Sequence, residues 1–447
     1  MLNRFKPKSE FNRNILTLMT GTTIAQAIPI AISPILTRIY TPEDFGIFAI
    51  FLAITLIIGS IANGRYELAI MVPKKDEDAI NIFALGFIIT TFISLLLLVL
   101  ILIFQKYFFF FLKNEEISLW LYFIPISVFF FGIFNILNYF NNRKKNYKDI
   151  SNANILKSII AAIMQLLIGF IQQGATGLIS GQIISQFFAN TKLFKNIIKD
   201  KKLISKITKK KILALAKRYK NFPKYSMPSG LLNIISLQVP VFLLGAFFNT
   251  AIVGFYSLSY RFISLPMSII GSSIGQVFFQ KCSEFKNDKK ELKKITLETY
   301  KKLFKIGILP FSIITVFGDY IFAFVFGKDW IAAGEYSQIL AISILFLFIK
   351  SPISSLFINL KKQKDALIFN IIIIFSRVLI LFFGGYFLKD IYITIYLYSA
   401  VGVFLNLSML FYFFKILNIN IFNEIVYLIK NIAIIILPIC IMRLLFY

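Results

Sequence analysis

Apolar runs of about twenty residues recur from one end of this chain to the other, and no other feature limits the fold so strongly. A helix that long crosses the hydrocarbon core of a bilayer. The runs lie at roughly 14–37, 45–63, 80–104, 117–138, 154–173, 176–197, 225–248, 252–275, 303–327, 335–358, 366–388, 391–414 and 425–446, which is thirteen candidate spans. A chain of 447 residues that is 58% hydrophobic and 15% charged, with a mean hydropathy of +0.78, has more apolar surface than one soluble core can hide. The expected class is all-α, a polytopic membrane protein. The first run follows Arg4, Lys6, Lys8 and Arg13 and is too long for the apolar part of a signal peptide, so it is expected to be a span.

The formal charge of +27 is distributed by side. With a cytoplasmic N-terminus, most of the 48 lysines and arginines fall inside, and the outer segments and helix ends keep only Arg38, Lys106, Lys113, Lys328, Lys389 and Arg443. Loop asymmetry of this kind sets orientation. It also explains the basic charge through anionic lipid, without nucleic acid as a partner. The longest polar stretch, 192–224, contains LISKITKKKILALAKRYK, whose leucines and isoleucines recur at helical spacing; an amphipathic helix on the cytoplasmic surface is expected.

The chain has no histidine, and its two cysteines, Cys282 and Cys440, form neither a disulfide framework nor a metal site. Zinc chemistry and histidine acid–base catalysis are therefore excluded. A glycan polymerase or lipid-linked glycosyltransferase would need a sizeable catalytic loop outside the bilayer, and no outer segment is long enough. The expectation is a protein that is not an enzyme and needs no cofactor beyond a coupling H+ or Na+.

Two external turns align at an offset of 208, Ile35–Phe48 with Leu243–Tyr256, and both end in apolar-Gly-apolar-aromatic. Phe110–Lys113 pairs with Val325–Lys328 at an offset of 215, and the basic loops 143–148 and 361–365 fall in corresponding places. Both halves begin on the same side, so the repeat is parallel, which favours a cavity between halves and alternating access. The expected division is an N-terminal six-helix lobe at 1–200, an amphipathic linker at 201–224, a C-terminal six-helix lobe at 225–415 and an extra membrane helix at 416–447.

Five stretches carry a family resemblance. They are ILTRIYTPEDFGIFA at 35–49, GRYELAIMVP at 64–73, YKNFPKYSMP at 219–228, GFYSLSYRFISLP at 254–266 and FGKDWIAAGEY at 326–336. In this order they resemble the bacterial oligosaccharide flippases of O-antigen and capsule assembly, in the multidrug/oligosaccharidyl-lipid/polysaccharide exporter superfamily. The resemblance implies a V-shaped pair of six-helix lobes in the bacterial inner membrane that moves undecaprenyl-pyrophosphate-linked oligosaccharide from the cytoplasmic to the periplasmic leaflet. It implies lipid-linked oligosaccharide and membrane lipids as partners, with a polysaccharide polymerase and a chain-length regulator beside them. An exporter of drugs or of the peptidoglycan precursor is the alternative within the superfamily, and a membrane scaffold the alternative outside transport.

Charges inside spans are the candidate site residues, because a cation at mid-bilayer costs about 3 kcal/mol or more unless it meets a cavity or a partner. Arg261 lies roughly 14 Å from the outer end of its span and Arg377 roughly 16 Å from the inner end of its own, by helical rise. Arg65 and Lys350 lie nearer the cytoplasmic interface, where snorkelling competes with substrate loading. All four are candidates for the substrate pyrophosphate, since a guanidinium donates in pairs to phosphate and keeps its charge. Tyr256 and Tyr260 are candidate sugar contacts, with interface anchoring as the plainer role. Glu67 and Asp319 are candidates for ion coupling, with pairing to a nearby base and a place near the external mouth as the plainer readings.

Overall fold

A computed structural model describes residues 10–112, 115–172, 174–285 and 287–445. Within them the all-helical expectation is met: the described residues form helices and connecting turns, with no strand among them. The chain divides into two compact units, Met1–Gln238 and Val239–Tyr447. The division falls inside a helix, and the stretch 201–224 lies in the first unit.

The first unit contains α1 (Glu10–Ile39), α2 (Pro42–Gly59), the short α3 (Tyr66–Ala69), α4 (Asp76–Leu112), α5 (Glu115–Leu121), α6 (Ile124–Arg143), α7 (Tyr147–Ile171), α8 (Thr176–Lys199), α9 (Lys201–Ile204) and α10 (Lys209–Arg218). A π-helical turn, Phe222–Ser226, leads into α11 (Met227–Phe247), which continues into the second unit. There follow α12 (Thr250–Ile263), α13 (Ser272–Glu284), α14 (Lys289–Phe326), α15 (Ile331–Ile353), α16 (Leu356–Asn359), α17 (Gln363–Phe383), α18 (Ile391–Ile416) and α19 (Ile421–Leu445).

Every one of the thirteen expected spans falls on helix, but among the described residues eleven helices are long and apolar enough to cross a membrane. A twelfth is reached if Thr250–Ile263 and Met267–Glu284, bent by 44°, count as one broken span. The expected span at 176–197 is α8, a helix of 24 residues that carries Gln182, Gln186, Asn190, Lys192 and Lys195. Two of these, Gln186 and Asn190, are inside the unit, and Asn190 Nδ2 donates to the Phe130 carbonyl at 2.9 Å. The expected break between the spans 225–248 and 252–275 is confirmed at 248–249.

The sequence repeat has a physical basis in the turns. Thr41 caps α2 with a capping box: its Oγ1 accepts from the Asp44 N–H at 3.2 Å and its own N–H donates to Asp44 Oδ2 at 2.9 Å, with Pro42 opening the helix. At the aligned position Asn249 caps α12, its Oδ1 accepting from the Ile252 N–H at 2.9 Å. The two basic loops also match. Lys145 and Lys361 hold left-handed backbone, at φ 58° and 56°. The following N–H in each loop reaches back across the helix end, Asn146 to the Asn141 carbonyl at 2.9 Å and Lys362 to the Phe357 carbonyl at 2.7 Å. Both are Schellman endings. The pairing of Phe110–Lys113 with Val325–Lys328 involves Lys113, which lies outside the described residues.

In the first unit α6 packs against α2, α4 and α8, and α7 against α1 and α8. In the second, α15 is the central helix, covered by α12, α13, α14 and α18. It approaches α14 closely because glycine meets glycine: a Cβ on Gly334 would lie 2.5 Å from the Gly318 carbonyl oxygen. Small residues that let backbones meet are a common basis of helix packing in membranes. The last helix, α19, is fastened to α14 twice, by Lys301–Glu424 at 3.3 Å and Arg443–Asp319 at 2.7 Å.

The amphipathic α10 forms as expected, and its apolar face has a protein partner. Leu215 is buried in a cluster with Tyr66, Ile70, Ile80 and Phe140. Lys211 pairs with Glu77 at 2.9 Å, and Asn81 of α4 accepts from the Thr208 N–H at 2.9 Å.

Candidate functional site

In the second unit four helices contribute side chains to a common pocket. Ile373, Ser376, Arg377 and Ile380 come from α17, and Tyr398, Gly402 and Asn406 from α18, all at the three- and four-residue spacing of one helical face. From α15 come Ser343 and Lys350, and from α12 Tyr260. The pocket thus joins two of the four predicted cations, Arg377 and Lys350, to one predicted aromatic.

Tyr256 and Tyr260, one turn apart on α12, stack with ring centroids 5.8 Å apart and planes 25° from parallel. Tyr398 meets Tyr256 edge to face at 6.4 Å. The Arg377 guanidinium lies over the Tyr398 ring, 6.0 Å from its centroid, in cation–π range. Tyr398, Ser343 and Asn406 are absent from the sequence prediction. Their signal was available as polar residues inside apolar runs, at the helical spacing that places Tyr398 and Asn406 on one face. No carboxylate lines this pocket among the described residues. Two cations, hydroxyls, an amide and flat aromatic faces make an environment for an anionic group attached to a polyhydroxylated body.

Arg261 does not line that pocket. It sits on the exposed side of α12, opposite buried Ser259 and Ile263, and makes no hydrogen bond or ion pair with another described residue. The aligned position in the first unit is Ala53, which is completely buried.

Arg65 and Glu67 belong to the first unit, on and just before α3. Asn63 anchors the segment, donating through Nδ2 to Thr90 Oγ1 at 2.6 Å and to the Gly132 carbonyl at 3.1 Å. Gly64 and Arg65 both adopt left-handed backbone, φ 58° and 61°. For arginine this conformation costs about 1 kcal/mol or more, and such strain gathers at functional sites. The Arg65 guanidinium lies against Gly230 of α11, where a Cβ would fall 1.8 Å from its Nη2. Arg65 Nη1 and Glu67 Oε1 stand 3.5 Å apart, with Glu67 nearly buried and Arg65 partly open. Arg65 Nε and Glu67 Oε2 are buried without hydrogen-bond partners. The α3 segment lies outside the candidate spans, and burial pushes the Glu67 carboxyl up from its ordinary value, with the Arg65 charge opposing that shift.

Asp319 is engaged on both oxygens. Arg443 of α19 pairs with Oδ2 at 2.7 Å and Gln338 Nε2 donates to Oδ1 at 2.8 Å. Arg443 also reaches the Val316 carbonyl and lies over the Tyr320 ring. These contacts make Asp319 a joint between α14, α15 and α19.

Residues 35–335 match the profile of a family described as polysaccharide biosynthesis protein, about two thirds of the chain. The chain belongs to this family. One relative is the succinoglycan biosynthesis transport protein ExoT of Rhizobium meliloti, 20% identical over 313 residues, which are 69% of this chain and 61% of ExoT. Another is the teichuronic acid biosynthesis protein TuaB of Bacillus subtilis, 25% identical over 137 residues, 30% of this chain and 28% of TuaB. The match therefore spans less than two thirds of either relative's length. Among solved structures, the lipid II flippase MurJ in an inward closed conformation superposes with a TM-score of 0.69 at 18% identity, covering 96% of this chain and 92% of that one. A transporter of the multidrug/oligosaccharidyl-lipid/polysaccharide superfamily from Pyrococcus furiosus gives 0.59 at 14% identity, covering 90% and 94%. At these identities the likeness shows the fold. The family expected from the five sequence stretches and the fold it implied thus agree with the polysaccharide biosynthesis assignment.

Proposed function

We propose that this family member is a flippase that moves undecaprenyl-pyrophosphate-linked oligosaccharide from the cytoplasmic to the periplasmic leaflet of a bacterial inner membrane, by alternating access, for surface polysaccharide assembly. The observation that carries the reading is the second-unit pocket, where Arg377 and Lys350 face a common space with Tyr260, Tyr398, Ser343 and Asn406, and no carboxylate is among its lining residues in the described part of the chain. A pyrophosphate suits the two cations, the guanidinium donating in pairs. Sugar hydroxyls suit the amide, the serine and the tyrosine ring faces. The relatives ExoT and TuaB are named for polysaccharide synthesis, and MurJ for flipping a lipid-linked precursor, which supports the same class of cargo.

In this reading Arg261 supplies a further cation for the pyrophosphate as it crosses, Arg65 serves loading, Tyr256 backs the sugar-contacting Tyr260, and Glu67 is the coupling carboxylate for H+ or Na+. Asp319, with both oxygens engaged, serves packing. A polysaccharide polymerase and a chain-length regulator take the delivered units. The test is reconstitution into proteoliposomes with a fluorescent polyprenyl-pyrophosphate saccharide and measurement of its transfer between leaflets. Wild type moves the lipid, Arg377→Ala moves it far more slowly, and Arg261→Ala loses movement while inserting normally, with Arg261→Lys keeping part of it. Equal transfer with and without the protein would overturn the function. Full transfer by both alanine variants would remove the site.

A further inference from the structure

We propose that Glu67 is a proton-operated latch on Arg65: a proton on Glu67 frees the guanidinium for a phosphate-bearing ligand, and loss of that proton takes it back. The reading of the chain as a carrier of pyrophosphate-linked cargo supplies only the identity of the ligand. The latch itself rests on the geometry of the first unit.

The backbone at the latch is fixed. Asn63 ties the segment to α4 and α6 through Thr90 and the Gly132 carbonyl, and the Tyr66 hydroxyl ties it to α10 by donating to the Ala216 carbonyl at 3.1 Å. Arg65 is held between these anchors in a conformation that arginine seldom adopts. Only its side chain is left to move.

The pair is also incompletely made. Arginine and carboxylate ordinarily close two short parallel contacts, at 2.7–2.9 Å. Here there is one contact of 3.5 Å, and Arg65 Nε and Glu67 Oε2 keep unspent hydrogen-bonding capacity although both are buried. Gly230 leaves the guanidinium its place: any side chain there would displace it.

Several charges on the surrounding elements are committed elsewhere. On α6, Arg143 holds Asp76 at 2.9 Å and donates to the Ile70 and Lys74 carbonyls, while Lys144 takes the other Asp76 oxygen at 2.5 Å. On α4, Glu77 pairs with Lys206 and Lys211. In the turn before α11, Lys224 lies over the Tyr225 ring. Tyr139 of α6 is the remaining titratable neighbour, interacting with both Glu67 and Arg65. Arg65 is the cation that pairs with Glu67 among the described residues. If the guanidinium turns to a phosphate, a nearly buried carboxylate is left without a counter-charge, and uptake of a proton is the cheapest remedy. Binding of the anion and of the proton then reinforce one another, a reciprocity required of linked equilibria. The raised carboxyl of Glu67 lies on the side of this equilibrium that the latch needs.

The full chain in lipid nanodiscs, titrated calorimetrically with farnesyl pyrophosphate in buffers of different ionisation enthalpy, tests the latch. Wild type should take up about one more proton per ligand than Glu67→Gln, and its affinity should weaken up to about tenfold per pH unit above the Glu67 pKa. Glu67→Gln should bind with the low-pH affinity of wild type and without that slope. Gly230→Ala, which displaces the guanidinium and keeps the carboxylate, should also lose the extra proton, and it answers the question if Glu67→Gln fails to fold. Equal proton uptake in wild type and Glu67→Gln, or no binding of the probe by wild type, would overturn the latch. Proton-linked binding without lipid transfer in proteoliposomes would leave the latch standing and overturn the flippase reading.

Discussion

Arg377 and Lys350 face one pocket from two helices, and like charges brought together in a low-dielectric setting repel unless an anion joins them. Arg443, also on a membrane helix, is neutralised by Asp319 at 2.7 Å. On the proposed reading Arg377 and Lys350 serve the cargo and Arg443 serves helix packing. Arg377→Ala should lower lipid transfer about 10- to 100-fold, the worth of a charge-assisted contact. Arg377→Lys should recover part of that loss, and Tyr398→Phe should cost less than Tyr398→Ala because the ring face remains; initial transfer rates in proteoliposomes measure all three. Glu67 gives a second prediction at this scale. Its carboxyl holds a proton more tightly in the folded chain than in the unfolded one, because burial outweighs the pull of Arg65. Its contribution to stability is therefore fully present at acid pH and is lost as pH rises from the ordinary carboxylate range through the folded value. Melting temperature followed across that window should fall more steeply with pH in wild type than in Glu67→Gln.

Helix ends and helix contacts were legible in the sequence to different degrees. The turns at Thr41 and Asn249 could be aligned because a cap is local chemistry: one side-chain oxygen, one N–H three residues on, and a following helix. Each cap should be worth about 1 kcal/mol, so Thr41→Ala and Asn249→Ala should destabilise similarly, measured by thermal unfolding in detergent. The pocket was only half legible. Arg377, Lys350 and Tyr260 stood out as charges and an aromatic in apolar runs, but Tyr398 and Asn406 depend on how α18 is rotated against α15 and α17, which composition does not record. Nor could the sequence reveal why Gly334 is needed, since its partner, Gly318, lies on another helix. A side chain at Gly334 meets backbone of α14, the Gly318 carbonyl oxygen at 2.5 Å and the Asp319 Cα at 2.6 Å, and backbone cannot turn aside as a side chain can. Gly334→Val should destabilise the second unit by about 1–3 kcal/mol, the usual cost of overpacking. It should lower the yield of folded protein, read by size-exclusion chromatography, while Gly327→Ala, which has open space around it but left-handed backbone at φ 105°, should act through strain alone.

At the scale of the whole chain, the all-helical membrane class and the family were carried by patterns that survive low identity: apolar length, loop charge and a few turn motifs. Apolar length located α8 but not the burial of its Gln186 and Asn190 within the unit, nor the 44° bend between Ile263 and Met267. The orientation is an expectation from charge alone. The stretch 192–224 concentrates lysine and arginine on α8, α9, α10 and the turn before α11, while the turn between α17 and α18 carries Lys389 beside Asp390. Lysine-rich short segments stay on the cytoplasmic side during insertion. An N-terminus in the cytoplasm therefore places Lys210 inside and Lys389 outside, both at exposed positions open to labelling. With Cys282 and Cys440 replaced by alanine, Lys389→Cys should react with a membrane-impermeant maleimide on intact spheroplasts, and Lys210→Cys should react only after the membrane is opened. Labelling of Lys210→Cys in intact spheroplasts would reverse the orientation, and with it the direction in which a lipid-linked cargo loaded near Arg65 would have to travel.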